Sequence, residues 1–157
     1  MAYAETTSVA FERSVSEIVT LIKRHGAQQI GQMDDPAWFA IQFKLDDRMI
    51  RFHLPFKTIA DMPTRDGRGS ILSDKQRADK LEQSKRQRGR ALMLVIKAKL
   101  ESVASGIETI EQAFLANVVM ANGQTVYDRV AQPLALEYET GAPDVTMGLL
   151  PPPGVNA

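Results

Sequence analysis

The chain has no cysteine, which excludes a disulfide framework, a thiolate metal cluster and a thiol nucleophile. Neither sign of charge is in excess, with 19 Lys and Arg against 19 Asp and Glu, so the total encodes no general attraction to a polyanion or a membrane surface. Aromatic residues are scarce, at 6%, and there is one tryptophan. No apolar run approaches the roughly 20 residues that span a bilayer. Glu5 and Glu12 stand where a signal peptide carries its basic and apolar regions. The two histidines, His25 and His53, occur in no metal-pair spacing such as HExxH, and no GxSxG elbow is present. The glycine-containing stretch 65–70 lacks the lysine and spacing of a P-loop. Asp34, Asp35, Asp46 and Asp47 fall in turns, where aspartate is favoured for backbone reasons. No residue is therefore assigned a catalytic or metal-binding role, no cofactor is expected, and the expectation is a protein that is not an enzyme.

What is present is a chain of 157 residues, 44% hydrophobic, which is enough for one domain with a real core and points to a cytosolic protein. Its charge is unevenly spread. Residues 1–43 hold three bases and five acids, residues 44–99 fifteen bases and seven acids, and residues 100–157 one base and seven acids. Net charge thus runs from −2 to +8 to −6 along the chain. The middle third could attract phosphates if its cations stay on one face, or it could be neutralised by the acidic end, within a chain or between subunits.

Residues 1–12 read as a loose arm. Ser14 and Glu17 form a capping-box pattern ahead of an apolar stripe, Val15, Ile18, Val19, Leu21 and Ile22, that ends at Lys23, Arg24 and His25 before Gly26. This predicts a helix over 14–25, with His25 complementing the terminal carbonyls. Strands follow at 27–33, 38–45 and 50–54, the second alternating Phe39, Ile41, Phe43 and Leu45 with Trp38, Ala40, Gln42 and Lys44. Residues 14–54 are thus a helix and a three-stranded antiparallel meander. Pro55, Pro63, Gly67 and Gly69 make 55–72 a basic loop. Residues 73–140 are helical: one long helix or two stacked ones over 74–104, packed on the sheet, a short helix at 109–116, and a last one over 125–139 interrupted by Pro133. The extended tail 141–157 is expected to dock Leu149 and Leu150 on the body. The fold class is α+β, in a single domain.

The basic run is the most informative feature, because residues 75–99 hold nine bases and two acids. Arg86, Arg88, Arg90, Lys97 and Lys99 are candidates for phosphate contacts, since like charges four apart on a helix repel and are tolerated where they bind something. Lys57, Arg65 and Arg68 extend the set into the loop. On the sheet, the face carrying Trp38, Gln42, Lys44, Met49, Arg51 and His53 mixes an aromatic ring, cations and hydrogen-bonding groups, so bases could stack there while Lys44, Arg51 and His53 hold a strand.

The helix end His25-Gly26-Ala27, the strand 48–56, the segments 86–107 and 111–126 and the terminal Leu-Leu-Pro-Pro-Pro-Gly together resemble a group of small phage and prophage proteins of unassigned function. The resemblance covers residues 14–153 and is most specific in the long helix. It implies a viral product acting in the cytoplasm of a bacterial host, of the sort encoded among replication and recombination genes. The order helix, three-stranded meander, long helix is also similar to the core of single-strand annealing proteins, in topology only. The function expected is binding or annealing of single-stranded DNA by a homo-oligomer whose subunits bring acidic C-terminal and basic central regions together. The alternative is an anti-defence inhibitor, of the kind that blocks CRISPR complexes, docking on a host protein complex.

Overall fold

In the computed structural model, which describes residues 4–143, the first helix is α1, Phe11–Arg24. It begins one turn earlier than the Ser14 pattern predicts. Ala10 takes the cap position without a side-chain cap, and Ser14 lies inside the helix, buried, its hydroxyl without a partner among the described residues. The reason is Phe11, 2% exposed, whose ring meets those of Phe39 and Phe56 edge-on at 5.3 and 5.2 Å. Burying a phenylalanine is worth about 1.5–3 kcal/mol, more than the typical ~1 kcal/mol of an N-cap. The helix ends as predicted: Gly26, at φ +89°, lets Ala27 N–H reach the Ile22 carbonyl, and His25 Nδ1 lies 2.9 Å from the Leu21 carbonyl.

Three antiparallel strands follow in the order β1, Gln28–Asp35, β2, Trp38–Leu45, and β3, Arg48–Pro55. β1 runs two residues past its predicted end, because Asp34 and Asp35 pair with Phe39 and Trp38, and the turn is Pro36-Ala37. Asp35 sets that turn by accepting the Ala37 N–H at 2.8 Å.

Residues 56–72 form the predicted loop, with a short 3-10 turn at Ile59–Asp61. A single helix α2, Asp74–Ala104, then runs 31 residues from a Ser73/Gln76 capping box. Its C-terminal half supplies Leu92, Met93, Ile96 and Leu100 to the core, where α1 contributes Ile18 and Ile22 and the sheet Phe39, Ile41, Phe43, Ile50 and Phe52. Gly89 lets α1 close on α2: a Cβ there would stand 2.6 Å from Phe11 Cδ2. The arm is not loose where it is described, since Ala4 is buried and Gln83 donates to the Thr7 carbonyl at 2.8 Å.

After α3, Ile110–Phe114, and the 3-10 turn Leu115–Asn117, Val118 bridges to Ile50 on the outer edge of β3, and Val119 bridges to Thr125. The last helix, α4, Val126–Thr140, carries Pro133 in its interior and ends at Gly141. The expected docking of Leu149 and Leu150 lies outside the described residues.

Candidate functional site

One face of the sheet is covered by α1 and α2; among the described residues no helix covers the other, the open face. Strand register places Trp38, Ala40, Gln42 and Lys44 of β2 on the open face, opposite Pro55, His53, Arg51 and Met49 of β3, while Met33 of β1 pairs with Ala40. A row of three residues, Met33, Ala40 and His53, therefore crosses the sheet with its smallest member in the middle. The methyl of Ala40 floors a pit of about 480 Å³, walled by Met33, Trp38, Gln42, Arg51 and His53. Met33 is 62% exposed although it is apolar.

Two walls have fixed chemistry. The Trp38 and His53 rings lie 5.2 Å apart at an interplanar angle of 33°. Arg51 donates from Nε to Gln42 Oε1 at 2.9 Å and from Nη1 to the Gly123 carbonyl at 2.9 Å, which fixes the plane of the guanidinium and leaves its remaining N–H groups uncommitted to either bond. Asn117 Nδ2 donates to the Arg51 carbonyl at 3.1 Å and ties the strand to the segment that carries Gly123.

Beyond His53 the surface continues into a second hollow lined by Arg51, Asn117, Thr125, Tyr127 and Asp128 at the start of α4. Asp128 is held below the usual carboxylate range, first by hydrogen bonds from the Thr125 N–H and hydroxyl, with desolvation opposing, and then by the charges of Arg51 and His53. It caps α4 and supplies a negative charge at this margin. The open face thus offers stacking surface, hydrogen-bond donors and a few cations. Among the described residues no group of three or more His, Asp or Glu side chains is placed to hold a metal ion, and no helix is long and apolar enough to cross a membrane.

The cations singled out in the sequence fall on two sides of the sheet. Lys44, Arg51 and His53 share the open face, although Lys44 also lies 3.6 Å from Asp47. Lys57 follows two residues after Pro55, the partner of Trp38. Arg65 is bound to the Gly69 carbonyl within its own loop, and Arg68 is exposed.

The helix cations lie with α1 and α2, beyond the core. Arg90 pairs with Glu17 at 2.6 Å, Arg86 with Glu82 at 3.7 Å, and Lys99 donates to the Ala113 carbonyl at 2.5 Å while lying over the Phe114 ring. Lys85, in the same run, sits over the Phe11 and Phe56 rings. Arg88 and Lys97 have no ion-pair partner among the described residues.

Met33 and Ala40 were not singled out in the sequence, where only the β1–β2 register shows that they are neighbours. Nor were Arg13 and Arg24, which join Arg90 and Lys97 along a groove between α1 and α2. Compared with known proteins, the chain matches no family model, no curated protein and no solved structure at a significant level.

Proposed function

We propose that the chain is a non-enzymatic nucleic-acid-binding protein that holds single-stranded DNA on the open face of its sheet. The observation that supports this most is the Trp38–His53 pair beside the Ala40 pit, with the Arg51 guanidinium fixed at its rim. A base entering the pit would stack on the indole, and Arg51 and Gln42 would meet its edge or the neighbouring phosphate. Bases in a duplex are stacked on one another and unavailable to such a surface, so an unpaired strand is the better ligand. Lys44 and Lys57 would follow the backbone on either side. We place this binding in replication or recombination inside a bacterial host, as the resemblance of residues 14–153 to small phage and prophage proteins implies.

The test is fluorescence anisotropy of labelled single- and double-stranded oligonucleotides at two salt concentrations. The account expects preference for the single strand. With Lys44, Arg51 and Lys57 as the cations engaged, the slope of log K against log salt should be shallow, about −2. Absence of binding at low salt sinks the reading and leaves docking on a host protein complex as the function to pursue.

A further inference from the structure

Helix α4 carries four of the ten exposed large hydrophobic residues among those described, Tyr127, Leu134, Leu136 and Tyr138, and Tyr138 is 87% exposed. Among the described residues none of α4 is buried, and its main neighbour is the 3-10 turn Leu115–Asn117. The partly covered residues Val126, Val130, Pro133 and Glu137 recur at helical spacing and make the side turned to the body. Tyr127, Leu134 and Tyr138, spaced seven and four apart, make a second, exposed stripe beside the partly covered Ala131, with Asp128 and Glu139 along one margin. A helix of 15 residues with a proline inside it is marginal in water on its own. Its outer stripe is built to be covered.

The surface that complements it lies on the other side of the sheet. Arg13, Arg24, Arg90 and Lys97 surround Leu21 and Met93 in the groove of about 440 Å³ between α1 and α2. Among the described residues Glu17 is the one carboxylate lining it, paired with Arg13 and Arg90, so the groove carries a surplus of three positive charges around the half-buried Leu21 and the edge of the buried Met93. On α4 the two acids along the margin of the exposed stripe, Asp128 and Glu139, put negative charge beside its apolar side chains.

We propose that α4 of one copy docks into the α1–α2 groove of a second copy, and that the exchange is reciprocal. Leu134 and Tyr138 lie against Leu21 and Met93, and Glu139 meets Arg24 or Lys97. A reciprocal exchange closes as a two-fold dimer. The proposal does not rest on nucleic-acid binding, and its test contains no nucleic acid.

Light scattering on the full chain after size exclusion, over a range of concentrations and at low and high salt, should give the mass of two chains, falling as salt rises. Leu134→Asp and Tyr138→Asp should each reduce it to one chain with the thermal melt of the body unchanged, since α4 gives no buried side chain to the core. Arg24→Glu and Glu139→Lys should each weaken association about tenfold or more, the size of a close charge pair across an interface, and the double variant should recover it. One chain's mass for the unaltered protein at every concentration overturns the proposal. So does an assembly indifferent to Leu134→Asp and Tyr138→Asp.

Discussion

The Trp38 indole and the His53 imidazole stand 5.2 Å apart on the uncovered face of the sheet, diagonal neighbours on adjacent antiparallel strands. Trp38 pairs with Pro55 and His53 with Ala40, so the two rings flank the small Ala40 side chain on that face. An apolar floor between an aromatic wall and a fixed guanidinium suits a planar, hydrogen-bonding ligand better than a flat peptide surface, and the predictions follow from that geometry.

Replacing Trp38 by Ala should weaken single-strand binding by about 1–3 kcal/mol, the measured range for one base stacked on an aromatic side chain. Ala40→Leu should have a comparable effect for the opposite reason, because the longer side chain fills the pit rather than opening it. Anisotropy titrations of both variants check this, with circular dichroism to confirm that the sheet is intact.

Salt dependence separates the sheet face from the helix. Arg51→Ala or Lys44→Ala should each reduce the magnitude of the salt slope by about 0.7, as expected when one phosphate contact to a single strand is lost. Arg86→Ala and Arg90→Ala should leave slope and affinity nearly unchanged, because those cations face Glu82 and Glu17 on the other side of the core. A drop in slope for the helix variants and none for the sheet variants would move the site to α2.

Much of this division is absent from the sequence. The alternation of Phe39, Ile41, Phe43 and Leu45 with Trp38, Gln42 and Lys44 makes the meander and its two faces legible, and the capping box at Ser73 and the lack of proline mark 74–104 as helical while leaving one helix or two open, which the structure resolves as one. What local pattern misses is the competition between a cap and a core residue at Phe11, which shifts the start of α1. It also misses long-range pairing. Nothing near Arg90 announces Glu17, 73 positions away, and nothing near Ala40 announces Met33 as its cross-strand partner. A basic run reads as a free phosphate-binding face until tertiary contacts give half its members other partners.

Gly89 and Phe11 form the closest approach between α1 and α2. Gly89→Ala places a methyl 2.6 Å from the Phe11 ring and should destabilise the protein by about 1–3 kcal/mol, the usual cost of overpacking, despite the better helix propensity of alanine. Phe11→Ala alone should cost about 3–5 kcal/mol. In the double variant the clash is gone, so the total should fall short of the sum of the two, which urea unfolding of the four proteins measures.

Acid should loosen the start of α4 before the core. The folded form holds Asp128 below the usual carboxylate range, chiefly through Thr125, so its cap is fully present above the unfolded value and is lost as pH falls through the lowered folded one. Amide chemical shifts of residues 126–130 should therefore move toward coil values in acid while those of β2 stay native. Asp128→Asn should remove that acid step and leave the rest of the titration unchanged.

The central claim is tested most directly by the chain's single tryptophan, which is Trp38 itself. Its intrinsic fluorescence, followed while an unlabelled single-stranded oligonucleotide is added at low salt, should be quenched to saturation along the same curve as the anisotropy of a labelled strand. Anisotropy that rises while the tryptophan emission stays constant would contradict the account, because the strand would then be held somewhere other than the open face of the sheet.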